Sequence, residues 1–261
     1  MAIRTTAILN LKGGVAKTTT AINMAAILAQ YYGKRVLLID ADSQCNTTEF
    51  FGGENGSDNM ATLLRHSANY QYPKGNPVAA IQKTHFKNID LVPGDESLMD
   101  MDLSAASQGL ADTNILRSLV SEVRSRYDYA LIDCPPAFNA ASTAALVAAD
   151  DVVIPIKLDA FSLRGMSNLL RQVQNMKAIN PRLRVAGILP TMWYRDDQIK
   201  EAEQQLRSAG LPVFHHIRRS DKVDRMTFRQ EALLISSPNS AAGVDYRTFV
   251  AEYVGGAENG K

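Results

Sequence analysis

The segment Lys12-Gly13-Gly14-Val15-Ala16-Lys17-Thr18-Thr19 constrains this chain more than any other part of it. It stands between an apolar run, Thr6–Asn10, that reads as a strand and a stretch, Lys17–Tyr32, that reads as a helix. A glycine-rich loop at that junction points backbone N–H groups and the positive end of a helix at phosphate groups. Gly13 and Gly14 let the backbone turn inward without a Cβ clash. In such a loop Lys17 supplies a point charge to the β- and γ-phosphates and Thr18 a hydroxyl to Mg²⁺, while Asn10 can order the loop. The usual pattern G-x-x-x-x-G-K-[ST] fails, because Leu11 and Ala16 occupy its two glycine positions. What remains is a deviant form, K-G-G-x-x-K-T-T, with an extra lysine, Lys12, at its start.

The rest of the chain fits an α/β frame for that loop. Further apolar runs at Arg35–Asp40, Ile89–Val92, Tyr129–Asp133, Asp151–Ile156, Arg184–Leu189 and about Val213–His215 show little alternation, as strands covered on both faces do. Between them lie helix candidates at Asn114–Arg126, Ala140–Ala149, Ser162–Ile179, Asp197–Ser208, Asp221–Gln230 and Ala241–Tyr253. This alternation predicts one doubly wound, mostly parallel sheet with helices on both faces, a single P-loop domain over residues 1–254. Residues 255–261 read as a disordered polar tail, and Gly52–Pro77 as a surface excursion with a short helix near Met60–Arg65.

Two strands end in carboxylates where a P-loop enzyme needs them. Val36–Asp40 continues into Ala41-Asp42-Ser43-Gln44, and Ala130–Asp133 into Cys134-Pro135-Pro136. Asp133 is placed to support Mg²⁺ through a coordinated water, and Asp42 to orient the attacking water and contribute to the metal site. The expectation is a cytoplasmic, Mg²⁺-dependent ATPase with Lys12, Lys17, Asp42 and Asp133 in catalysis and Thr18, Asp42 and Asp133 around the metal.

Charge narrows the partners. The net charge is +1, so nucleic-acid contact needs a local patch. From Arg182 to Arg229 there are ten Lys/Arg against six Asp/Glu, and Arg195, Arg218, Arg219, Lys222, Arg225 and Arg229 are candidates for phosphate contacts. The plain alternative is a solvated basic face. Cys45 and Cys134 form no C-x-x-C pair, which argues against zinc. No window reaches the roughly 20 apolar residues a bilayer span needs, and no signal peptide is legible.

The set K-G-G-V-A-K-T-T, D-A-D-S-Q, L-I-D-C-P-P and the late Ser237-Pro238-Asn239-Ser240 before a terminal helix resembles the ParA/MinD ATPases, the ParA/Soj branch in particular. The resemblance covers essentially the whole chain. It implies ATP as substrate, Mg²⁺, an ATP-driven homodimer, and Lys12 as a signature lysine reaching into the partner subunit's phosphate site. It places Thr191 and Met192 beside the adenine, with Trp193 and Tyr194 flanking either the base or a partner surface. It implies non-specific duplex DNA binding at the nucleoid and a centromere-binding or cargo-adaptor protein that stimulates slow hydrolysis. Such ATPases segregate plasmids or chromosomes or position cargo such as a protein body. A membrane-cycling regulator like MinD is the alternative, disfavoured by the lack of a C-terminal amphipathic membrane helix, so no membrane partner is expected. A metabolic enzyme or metal-cluster carrier with the same loop is another. The chain departs from relatives at Ser43 and Cys45, where D-x-D-P-Q-G-N has Pro and Gly, which is expected to loosen or re-time this switch. At Ala16, expected to be tolerated, relatives commonly carry glycine. Ile217–Lys222 stands where they read I-P-R-N-x-R.

Overall fold

The computed structural model describes residues 3–54, 56–65, 77–101, 108 and 111–259. Among these, seven strands form one sheet: β1 (Arg4–Ile8), β2 (Val36–Asp40), β3 (Gln82–Lys83), β4 (Ile89–Val92), β5 (Tyr129–Asp133), β6 (Asp151–Lys157) and β7 (Arg184–Thr191). Their spatial order is β3-β4-β2-β5-β1-β6-β7, and only the short edge pair β3–β4 is antiparallel. The helices are α1 (Lys17–Ala26, continued by a π-turn over Ile27–Tyr31), α2 (Asn46–Phe50), α3 (Met60–Leu64), α4 (Ile115–Glu122), α5 (Ala140–Ala148), α6 (Ala160–Met176), α7 (Asp197–Ser208), α8 (Asp221–Arg229), α9 (Leu233–Ser236) and α10 (Ala241–Asn259).

The apolar runs become central strands because each is buried on both faces. Ala7, Leu37, Ile39, Ala130 and Ile132 face a core closed by Leu116 and Leu119 of α4 and the alanines of α5. Ile8, Val36, Leu38 and Leu131 face the opposite core, closed by Ile22 and Ala25 of α1 and by Tyr246, Phe249 and Val250 of α10. Each fully buried large side chain there contributes about 2 kcal/mol. β1 lies between β5 and β6, with Ile8 level with Asp133 on one side and Val153 on the other. The chain leaves β1 towards β2 on one side and passes from β5 to β6 on the other. The loop after β1 therefore sits at the sheet's switch point, over the carboxyl ends of the strands.

Two expectations need correction, and a third is kept in part. No strand forms at Val213–His215; single bridges, Ile188↔Val213 and Trp193↔Arg218, tie an extended segment to β7. Pro190 and Pro212 have no N–H to give a continuous ladder, so only their carbonyls take part, accepting from Ile217 and Ile188. The terminal helix does not stop at Tyr253 before a disordered tail but runs to Asn259. Gly255 and Gly256 each cost a helix only about 1 kcal/mol, less than the docking of Tyr253 and Val254 supplies. The excursion keeps its short helix at α3, capped by Asn59 and Thr62, but much of it (residues 55 and 66–76) lies outside the described residues, as do 260 and 261.

Candidate nucleotide site

Asn10 locks the loop at its root: its Nδ2 donates to Pro155 O at 2.7 Å and its Oδ1 accepts from Lys12 N at 3.0 Å. Gly14 (φ 68°) and Ala16 (φ 66°) both take left-handed backbone. A Cβ on Gly13 or Gly14 would meet no protein atom within 4 Å, so open space lies beside the loop. Ala16 adopts a conformation that costs an L-residue about 1–2 kcal/mol, so the position tolerates alanine only under strain. The same holds for Cys45 (φ 53°) at the start of α2. Losing glycine there leaves the turn in place and strains it.

The two lysines of the loop diverge. Lys17 is buried, its Nζ donates to Lys12 O at 3.2 Å, and burial lowers its pKa against the pull of Asp133 and Asp42. Lys12 turns away from its own loop. Its Nζ meets Asp159 Oδ2 at 2.8 Å and Ser162 Oγ at 2.9 Å, at the N-terminus of α6. Burial alone would raise the Asp159 carboxyl; hydrogen bonds from Lys12 and Ser162 outweigh it and bring it down to about 2.

Asp133 is fully buried at the end of β5. Its Oδ2 accepts from Thr18 Oγ1 at 2.7 Å and Thr47 Oγ1 at 2.8 Å. Its Oδ1 has no hydrogen-bond partner. A buried carboxylate oxygen without a donor is costly, and burial raises the carboxyl's pKa. Beside it, level in the sheet, Asp40 is also fully buried and also raised, by burial and then by Asp133. Asp40 accepts from Thr48 N, Thr48 Oγ1 and Asp42 N. Asp42 itself holds the next turn through Gln44 N. Hard oxygen donors, an orphaned buried carboxylate oxygen and an adjacent hydroxyl, Thr18, fit a divalent cation or its coordinated water.

A cleft of about 500 Å³ opens beside the loop, lined by Ala16, Thr19, Lys157, Thr191, Met192 and Tyr194 and walled by Ile217–Asp221, Val223 and Asp224. Thr191 and Met192 thus reach it, although the Thr191 hydroxyl is spent on Val15 O at 3.1 Å. Trp193 does not line the cleft; it stacks on His216 at 4.0 Å.

The six candidate cations are not equally free. Arg218 is held by the buried Asp245 through Nε (2.8 Å) and Nη2 (2.7 Å), and its own N–H donates to the same carboxylate. Arg225 and Lys222 share Asp221, at 3.3 and 3.8 Å. Arg195, Arg219 and Arg229 are exposed. Sequence reasoning gave no role to Asp40 and missed Thr47, Asp159 and Ser162. Asp159-x-x-Ser162 was legible as a helix cap, but its pairing with a lysine 147 residues away was not.

Fold and site together define a P-loop nucleoside triphosphatase with a deviant phosphate loop. A family profile described as an AAA domain matches residues 3–185. The chain is 36% identical over 204 residues to the chromosome partitioning protein ParA of Caulobacter vibrioides, covering 76% of this chain and 73% of that protein. It is 36% identical over 236 residues to the sporulation initiation inhibitor protein Soj of Bacillus subtilis, covering 89% and 87%. The ATP complex of a single-residue variant of Cyanothece McdA shares the fold, with a TM-score of 0.82 at 24% identity over 97% of each chain. Other solved structures of this fold hold an ATP analogue or ADP with magnesium. The chain belongs to the ParA/MinD family; it is an ATPase, and its cofactors are ATP and Mg²⁺.

Proposed function

We propose that this ATPase works as a partitioning switch: ATP joins two subunits, the dimer binds duplex DNA without sequence preference, and a partner protein triggers hydrolysis and release. Lys17 and the loop amides hold the β- and γ-phosphates. Thr18, Asp133 and, at the edge, Asp42 hold the metal and its water. A Mg²⁺ held there would supply neutralisation of charge on the phosphate oxygens. Asp42 orients the attacking water, and the stimulating partner is a centromere-binding or cargo-adaptor protein supplying a basic residue from outside.

The observation that carries this reading is the division between the two loop lysines. Lys17 stays in its own site, whereas Lys12 is parked on α6 through groups that a second subunit's phosphates can replace. For DNA, exposed Arg195, Arg219 and Arg229, with Lys222 and Arg225 on a weak surface pair, offer sequence-blind phosphate contacts that a dimer doubles. Arg218 contributes through its hold on Asp245. The apolar face of α10 is used up in the core, which favours the nucleoid over a membrane-cycling role.

Light scattering and duplex binding, each with ATP, ADP and no nucleotide, test the proposal. The expected results are an ATP-specific dimer that Lys12→Ala weakens more than it weakens ATP binding, and DNA binding confined to ATP. Equal DNA affinity with ADP and ATP would sink it.

A further inference from the structure

Lys157 is the last residue of β6 and belongs to none of the loop or strand-end motifs. It is exposed, and none of the ion pairs among the described residues involves it. Its place is set from three sides. Two residues before it, Pro155 O accepts from Asn10 at the root of the phosphate loop. Two residues after it, Asp159 holds Lys12. Across the sheet it stands level with Thr191, whose hydroxyl donates to Val15 O inside the loop. The side chain lines the 500 Å³ cleft with Ala16 and Thr19.

We infer that Lys157 binds the nucleotide of its own subunit at the α-phosphate, between the loop and the base end of the cleft. This rests on the reading that residues 12–19 hold the nucleotide. Lys17 and Thr18, deeper in the loop, serve the outer phosphates and the metal. Ala16 and Thr19 lie on the side that opens to Thr191 and Met192, where the chain of phosphates gives way to the sugar. An α-phosphate there carries charge that neither Lys17 nor the metal fully meets. The other cations lining the cleft stand on the opposite wall, and of these Arg218 is already neutralised by Asp245. Lys157 is thus the cation on the β6 side, and a lysine makes a mobile point charge suited to a phosphate that must also leave. It would act in ADP and ATP complexes alike, unlike Lys12.

The test is calorimetric titration of the full chain with MgADP and with MgATP, for wild type, Lys157→Gln, Lys157→Arg and Lys17→Ala. Lys157→Gln is expected to raise both Kd values by a similar factor, about 5- to 20-fold, as loss of one charge-assisted contact does. The gap should narrow at higher salt. Lys157→Arg should recover most of the loss, and the thermal midpoint without nucleotide should not move. Kd values within twofold of wild type for both nucleotides overturn the inference. So does a loss confined to ATP, which would place Lys157 at the dimer instead, and so does equal loss in the Gln and Arg variants with a lowered midpoint. If Lys17→Ala binds MgADP as wild type does, the nucleotide-site reading itself has failed; if it loses binding while Lys157→Gln keeps it, only the role of Lys157 has.

Discussion

The two walls of the nucleotide cleft are built on different principles. On the phosphate side, Asp40 and Asp133 end central strands, Lys17 and Thr18 close the loop, and Thr47 stands in α2. All but the half-buried Thr18 are buried, and each is tied by hydrogen bonds to a neighbouring side chain or to backbone. On the base side, Ile217–Gln230 is anchored by Ile217 and Met226 in the core and by one bridge, Trp193↔Arg218, and carries most of its charges on exposed positions. The first wall holds its carboxylates in an uncomfortable, buried state. The second carries exposed charges, of which Arg219 and Arg229 are not held by the ion pairs that occupy Arg218, Lys222 and Arg225. On the proposed function, pre-organisation sits where charge develops in the reaction, and exposed charge where a partner would bind.

If that contrast is right, the phosphate wall should fail in chemistry and not in folding. Asp42→Ala is expected to bind MgATP near wild-type affinity yet turn it over about 100- to 1000-fold more slowly, and to accumulate as the ATP-bound form. Single-turnover phosphate release checks this; wild-type turnover under saturating DNA would remove Asp42 from the mechanism.

The base wall should divide by partner. Replacing Arg219 and Lys222 together with Ala should abolish duplex binding under physiological salt and lower the slope of log K against log salt by about 2 per subunit, with the ATP dimer intact. Arg218→Ala should instead lower unfolding stability by about 1–3 kcal/mol, because it leaves the buried Asp245 without its main donor. Denaturant melts set beside salt titrations separate the two outcomes; a stability loss in the double variant, or none in Arg218→Ala, would erase the distinction.

The discomfort of the phosphate wall predicts a pH dependence. Burial, and then Asp133, raise the Asp40 carboxyl above its unfolded value near 3.9. A raised acid contributes stability that is complete below the unfolded pKa and is lost as pH rises through the folded one. The nucleotide-free protein should therefore melt progressively lower as pH climbs from about 4 towards neutrality, by about 2–4 °C for each kcal/mol lost. Asp40→Asn should flatten that slope whatever it does to the midpoint. Asp159, held at about 2, works in the opposite sense and only under strong acid.

The smallest effect concerns backbone strain. Ala16→Gly should stabilise the nucleotide-free protein by about 0.5–1 kcal/mol, since the relieved left-handed strain exceeds the added unfolded-state entropy. Denaturant melts resolve it, and a destabilised variant would mean the loop stores no strain at Ala16.

Much of the phosphate wall was legible in the chain itself. A strand–loop–helix junction is local, so Lys12–Thr19 announced its own backbone, and the runs before Asp40 and Asp133 could only be buried strands because nothing in them can face water. The sheet order then set Asp133 beside Ile8 and Asp40, which the strand ends suggested but could not prove. What the sequence could not express were pairings between distant segments. Arg218 reads as one more surface cation until Asp245, from the last helix, claims it. Lys12 reads as a phosphate ligand until α6 holds it with Asp159 and Ser162. Thr47 and Lys157 carry no motif at all. Local backbone chemistry is written in adjacent residues and survives any packing, whereas the partner of a charged side chain depends on which elements the sheet brings within about 3 Å of it, and only the tertiary structure decides that.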